Sequence, residues 1–155
     1  MDKKQIDQVK SEAEKIVGEL GVEATVSVSY EEADRVFSCQ IDSPHAAVLI
    51  GFHGETLHCL QLILSFVVHK IFDEWIRVVV NVGDYRQKRE EQLQKLALNL
   101  AMKAKFSGET QTIPNLSAIE RRIVHLVLVE HPDVVSQSEG EGRNRILTIK
   151  PKSSL

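Results

Sequence analysis

The chain has 155 residues, of which 43% are hydrophobic and 26% are charged, so its composition predicts a folded protein of one or two small domains and excludes wholesale disorder. No run reaches the roughly 18 uninterrupted apolar residues that span a bilayer, and the charged N-terminus lacks the apolar block of a signal peptide. The net charge of −3 excludes the strongly basic surface of a tight, non-specific nucleic-acid binder.

The first half of the chain begins with a predicted helix and two predicted strands. Apolar residues recur at steps of three and four from Ile6 to Leu20, which indicates an amphipathic helix that Gly21 ends. The stretches "VEATVSVSY" and "RVFSCQI" then predict two antiparallel strands. Residues 1–83 carry seven Lys and Arg against thirteen Asp and Glu, so we expect a polyanion to favour the other half.

Two glycines three residues apart interrupt the apolar run "AAVLIGFHGETLHCLQ". A short helix is predicted before Gly51, a longer helix from Gly54 to about Phe72, and a third strand at "WIRVVVNV". Glycine is costly inside a helix, so the pair needs an explanation. Without side chains there, a sugar-phosphate backbone can approach the main chain, and the following helix offers free N–H groups. A plain turn between two helices is the alternative.

The second half of the chain predicts a long helix, a short extended piece, a second helix and a hairpin. Capping-box patterns at Asp84–Gln87 and Ser117–Glu120 begin the two helices. The stretches "VVSQS" and "RILTIK" predict the hairpin, joined by a glycine-containing turn. This half carries twelve Lys and Arg against nine Asp and Glu. In the long helix, the residues predicted to face inward are Leu93, Leu96, Ala97, Leu100 and Ala104.

Basic residues at helical spacing mark the second helix, "SAIERRIVHLVLVEH". Arg121 and His125 are four residues apart and therefore lie on one face, with Arg122 beside them. The buried side is predicted to come from Ile119, Ile123, Leu126 and Val127. The spacing alone favours an ordinary solvated cationic strip on this helix, with Glu120 as its counter-charge.

The order α-β-β-α-α-β with "LIGFHGETLHCLQ" resembles a type II KH domain over residues 1–83. The resemblance implies that Gly51, Phe52, His53 and Gly54 form a GxxG loop that clamps about four nucleotides of a single strand. The middle pair departs from the basic residues common in nucleic-acid-binding members. Phe52 can stack on a base but carries no charge, and an unperturbed His53 is largely neutral at pH 7. A turn retained in a domain that packs or dimerises is the alternative.

Residues 84–155 are similar to the R-3-H domain, which is named for its Arg-x-x-x-His spacing. The resemblance implies that Arg121 and His125 contact single-stranded nucleic acid, with Arg122 flanking them. The planar fork of arginine can grip a phosphate or stack on a base. Basic residues of the hairpin extend the same predicted surface: Arg143, Arg145, Lys150 and Lys152.

A KH domain followed by an R-3-H domain is similar to the layout of the bacterial Jag family. The stretches "LIGFHGETLHCLQ", "GDYRQKREEQLQKLA" and "ERRIVH" carry this resemblance across nearly the whole chain. It implies a cytoplasmic bacterial RNA-binding regulator connected with cell elongation or envelope growth, often partnered by a small KH protein. Jag proteins often carry a further N-terminal domain, whereas this chain begins almost at the KH helix.

Metal and catalytic sites have little support in the sequence. The six histidines show no familiar ligand spacing with carboxylates or cysteines, and Cys39 and Cys59 are isolated. No nucleophile–base pair, Walker loop or dinucleotide fingerprint is present. We therefore predict no cofactor, no metal and no enzymatic activity. Trp75 is predicted to lie in the core rather than to act as a stacking platform.

The sequence as a whole predicts an α+β, non-enzymatic protein that binds single-stranded RNA, with single-stranded DNA as an alternative ligand. The second half would supply most of the charge and the GFHG loop would supply backbone contacts. The rival hypothesis is a protein-interaction module, in which the KH domain pairs with another KH protein or with a second copy and no longer binds nucleic acid. Neither hypothesis includes insertion into a membrane.

Overall fold

The first unit of the structure, Met1–Arg86, has the predicted element order α-β-β-α-α-β. The computed structural model describes residues 1–152, apart from the side chain of Arg143. The elements of this unit are α1 (Lys3–Glu19), β1 (Thr25–Glu31), β2 (Val36–Asp42), α2 (Ala46–Ile50), α3 (Glu55–Phe72) and β3 (Arg77–Val82). Strand β2 lies in the centre of the sheet, antiparallel to β1 and parallel to β3.

The core of the first unit forms where helices α1 and α3 pack against the sheet. Side chains four residues apart, Val9, Ala13 and Val17, are buried along α1, as helical periodicity predicts. On β2, Phe37 and Cys39 are almost completely buried. Burial raises the pKa of the Cys39 thiol to about 11, so it stays protonated and unreactive.

One segment of the first unit, Ala46–Phe72, is long and apolar enough to cross a membrane by length and composition. The helix is broken there, because α2 ends at Ile50 and α3 begins at Glu55. One side of α3 is buried in the protein core by Leu57, Leu60, Leu64 and Val68. The core helix of a soluble protein meets the same two criteria, so the segment is weak support for a membrane span.

The second unit begins at Gln87, within the long helix. Its elements are α4 (Tyr85–Ser107), β4 (Gln111–Ile113), α5 (Ala118–Leu128), β5 (Val134–Glu139) and β6 (Ile146–Pro151). The predicted hairpin of β5 and β6 is confirmed, and β4 pairs with the other edge of β6, so all pairs are antiparallel. The mixture of helices and strands in both units confirms the α+β class.

Several predictions of burial were wrong, and each concerns a large apolar side chain. Trp75 is 66% exposed, and Leu96 of α4 is 39% exposed. On α5, Ile119 and Leu126 are exposed rather than buried. Ile123 and Val127 pack against the core as predicted, and the fully buried residues are Val124 and Leu128. Helix α5 has apolar residues around most of its circumference, so periodicity alone could not select the buried side.

Candidate nucleic-acid interface

The GFHG loop of the first unit is a single 3₁₀ turn, Phe52–Gly54, between α2 and α3. The N–H of Gly51 donates to the carbonyl of Ala47 and ends α2. Gly51, His53 and Gly54 have positive φ angles of 71°, 52° and 86°. The loop therefore needs left-handed backbone, which glycine adopts without steric cost.

Neighbours within the same unit explain why glycine stands at both ends of the loop. A Cβ atom added to Gly51 would lie 2.0 Å from Oγ1 of Thr56, and one added to Gly54 would lie 3.2 Å from the ring of Tyr85. Thr56 and Tyr85 thus fill the space that a side chain would need. The turn interpretation accounts for the glycines by itself, and the approach of a phosphate to this loop stays a prediction.

The exposed parts of the loop offer an aromatic side chain and a helix N-terminus. Phe52 is 65% exposed, and its ring meets the ring of His53 edge-on at a centroid distance of 4.1 Å. Gly54 has no side chain to cap the first turn of the 18-residue helix α3, and such an end attracts anions. Glu55 in that first turn carries negative charge, which opposes a phosphate.

Helix α5 of the second unit is fixed at its start by a capping box and an ion pair. Oγ of Ser117 accepts from the N–H of Glu120, and the Glu120 carboxylate accepts from the N–H of Ser117 at 2.8 Å. Nε of Arg89 donates to the same carboxylate at 2.7 Å. Burial alone would raise the pKa of Glu120, but the bonds from Ser117 and Arg89 lower it. Glu120 is therefore a structural anchor whose charge is paired with Arg89 of α4.

The Arg-x-x-x-His pair, Arg121 and His125, begins directly after Glu120 in the sequence and is held by specific contacts. A terminal nitrogen of Arg121 donates to the carbonyl of Leu116 at 2.5 Å. The ring nitrogens of His125 lie 2.7 Å from Oγ of Ser136 and 3.0 Å from Oγ of Ser138. These serines of β5 are two residues apart, so both face α5. Sequence reasoning missed them, although their alternation with Gln137 was a signal that they share a face.

The predicted basic residues come together only in part. Arg145 directly precedes β6, and its positive charge, like that of Arg121, lowers the pKa of His125 after the larger effect of burial. Arg122 is exposed on the next face of α5, and the side chain of Arg143 lies outside the described residues. Lys150 and Lys152 are occupied, the first by the carboxylate of Glu139 and the second by the carbonyl of His131.

Titration of His125 gives a testable pH dependence. Its pKa is lowered, first by burial and then by Arg121 and Arg145. Neutral His125 contributes stability that is present above the ordinary pKa of about 6.5 and is lost as the pH falls through the lowered value. We expect the Tm of the wild type to fall by a few degrees more than that of His125→Gln when the pH is reduced from neutral to about 5. Parallel Tm curves for the two proteins would contradict this assignment.

Metal binding gains no support from the described residues, among which no three His, Cys, Asp or Glu side chains form a candidate site.

Residues 91–151 match the R-3-H domain family. The chain is 32% identical over 139 residues to the RNA-binding protein KhpB of Clostridium symbiosum, a match that covers 88% of this chain and 63% of that protein.

Two further relatives carry the same name. The RNA-binding protein KhpB of Streptococcus pneumoniae serotype 2 is 32% identical over 148 residues, covering 93% of this chain and 44% of that protein. The RNA-binding protein KhpB of Bacillus subtilis is 32% identical over 130 residues, covering 81% and 61%. The chain thus spans between about two fifths and two thirds of the length of these curated relatives, and the similarity extends through both units.

Proposed function

Because the chain belongs to the Jag-type R-3-H proteins, we propose that it binds single-stranded RNA and catalyses no reaction. The observation that carries this proposal is the cluster of Arg121, His125 and Arg145 in the second unit. Arg121 and His125 are fixed by Leu116, Ser136 and Ser138, and the charge of Arg145 also acts on the pKa of the histidine. Arg121 uses one nitrogen on Leu116 and keeps further N–H groups for a phosphate. The names of its relatives support RNA over single-stranded DNA.

In this proposal residues 1–83 act as a type II KH domain and residues 84–155 as the R-3-H domain. The GFHG loop adds backbone contacts and the exposed ring of Phe52, while the arginines of the second unit supply charge. Affinity is modest and salt-dependent, because few phosphates are neutralised. We further propose, from the family resemblance, a cytoplasmic regulator that acts after transcription and is connected with cell elongation or envelope growth.

Replacing Arg121 tests the proposal most directly. We expect Arg121→Gln to weaken the binding of a labelled single-stranded RNA pool about tenfold, since a charge-assisted hydrogen bond is lost. The slope of log affinity against log salt should fall by about 0.7, the value for one phosphate of a single strand. Fluorescence anisotropy at several salt concentrations measures both quantities.

Lys103→Gln is the matched control, because Lys103 is an exposed cation of α4 in the same unit. Equal effects of the two substitutions would show that only overall charge matters and would contradict a role for the cluster. A third variant, Phe52→Asp with His53→Asp, reports on the loop. Normal binding by that variant would restrict the GFHG sequence to a structural turn.

A protein-interaction module is the second candidate function, and an exposed apolar surface on the first unit favours it. Leu62, Ile63 and Phe66 of α3 are each about half exposed, and Trp75 is 66% exposed. The ring of Trp75 stacks on His69 at 4.2 Å and meets Phe66 edge-on. A second copy or a KH partner would cover this surface. Dimers seen by sedimentation velocity, together with RNA binding that is absent at low salt, would favour this function over the first.

A further inference from the structure

Helix α5 has a second apolar face that is not part of the protein core. Ile119, Leu126 and Val129 are 69%, 63% and 72% exposed. At about 100° per residue, they lie with Arg122 on one side of the helix, opposite the buried residues Glu120, Val124 and Leu128. Apolar residues exposed together on one face can form a binding surface where the neighbouring residues suit a ligand. We call these four residues the α5 outer face.

The residues in and around the α5 outer face are suited to binding a single-stranded nucleic acid. On one side it borders Arg121 and His125, and Arg122 lies within it. The carboxylate that α5 carries, on Glu120, is turned inward and paired with Arg89, and Glu130 follows the helix. An unpaired nucleotide likewise places an apolar base face next to a charged phosphate. The surface and the ligand therefore match in both charge and polarity.

We propose that the α5 outer face binds unpaired nucleobases. Phosphates of the strand contact Arg121 and Arg145, while its bases pack against Ile119, Leu126 and Val129, and the guanidinium plane of Arg122 stacks on a base. The face extends for roughly 15 Å along the helix, at 1.5 Å per residue, which leaves room for more than one base. This inference rests on the proposed RNA binding and specifies its ligand, because bases within a duplex are stacked on each other and unavailable.

The test separates apolar contact from charge. We expect Leu126→Ser with Val129→Ser to weaken single-stranded RNA binding about tenfold and to leave the salt slope unchanged, since no phosphate contact is removed. Weak binding to the same strand annealed to its complement should not change. Leu98→Ser with Met102→Ser is the matched control, since Leu98 and Met102 are exposed apolar residues of α4 in the same unit. All four side chains are exposed, so both variants should fold, which thermal unfolding will verify.

A conservative substitution adds an independent readout. Arg122→Lys keeps the charge but lacks the planar group, so we expect weaker single-strand binding at an unchanged salt slope. Normal RNA binding by Leu126→Ser with Val129→Ser would overturn the inference about the α5 outer face. If Arg121→Gln still weakened binding in that case, the proposed RNA-binding function would stand. If the wild type self-associates and Leu126→Ser with Val129→Ser alone abolishes this, the α5 outer face would instead bind a protein partner. Absence of RNA binding by the wild type would overturn both proposals together.

Discussion

Gly51→Ala is expected to reduce the free energy of unfolding by about 3 kcal/mol, since backbone strain and overpacking each cost about 1–3 kcal/mol. The φ and ψ angles of Gly51, 71° and −170°, fall in a region that is essentially restricted to glycine. Its new Cβ would also lie 2.0 Å from Oγ1 and 2.7 Å from Cβ of Thr56. Chemical denaturation followed by circular dichroism measures the change.

Gly18→Ala supplies the control for this prediction. Gly18 lies within α1, and a Cβ added there meets no atom within 4 Å. The same substitution should therefore stabilise the protein by about 0.5–1 kcal/mol, because alanine is the better helix former. In a Thr56→Ala background the cost of Gly51→Ala should fall without disappearing, since the nearest atom is removed but the backbone angles remain. Similar unfolding curves for Gly51→Ala and Gly18→Ala would show that the loop does not need its glycine.

The sequence predicted the elements of the structure well where a local pattern has one physical solution. The capping box of Ser117 and Glu120 begins α5 as predicted, because a side chain and a backbone donor only three residues apart meet each other wherever the helix lies. The two antiparallel strands predicted at "VEATVSVSY" and "RVFSCQI" are likewise confirmed as β1 and β2. The sequence also showed that Gly51 and Gly54 needed an explanation. The residues that exclude a side chain there, Thr56 and Tyr85, lie 5 and 31 positions away, and only packing brings them to the glycines.

Contacts between residues that are distant in the sequence could not be predicted from the spacing of residues within one element. The two serines that hold His125 lie 11 and 13 residues away on β5, and only the packing of α5 on that strand brings them to the ring. Arg86 gives a second example, because charge spacing on α4 indicates no partner outside that helix. Its guanidinium instead donates to the carbonyl of Val80 at the edge of the first sheet and to the side chain of Gln61. Such partners are set by topology, which no local motif of this chain encodes.

The α5 outer face shows why an apolar residue is an ambiguous signal. Ile119 and Leu126 satisfy the pattern of a core helix as well as Val124 does, and yet they are exposed. The core of the second unit is already filled by residues from α4 and the sheet, with Leu93, Leu147 and Ile149 almost fully buried. The additional apolar residues of α5 therefore remain available for a ligand.

Arg89→Met is expected to destabilise the second unit by about 3 kcal/mol, because it leaves the Glu120 carboxylate buried without its cation. Glu120 is only 7% exposed, and Arg89 binds it at 2.7 Å. In Arg89→Met with Glu120→Gln, the loss should be smaller, since no charge is left unpaired and glutamine still completes the capping box. The double-mutant cycle consists of the wild type, Arg89→Met, Glu120→Gln and the double variant. Chemical denaturation of these four proteins gives the coupling free energy between the two side chains.

A surface ion pair of the same unit, Lys105 with Asp133, provides the comparison. Both of its side chains are at least one third exposed, so Lys105→Met should cost less than about 1 kcal/mol. Equal losses for Arg89→Met and Lys105→Met would show that the Glu120 pair acts only as a surface contact. Because Glu120 directly precedes Arg121 in the first turn of α5, Arg89→Met should also weaken RNA binding while leaving the salt slope near that of the wild type. Arg89 would then act on the ligand through the position of the helix that carries Arg121.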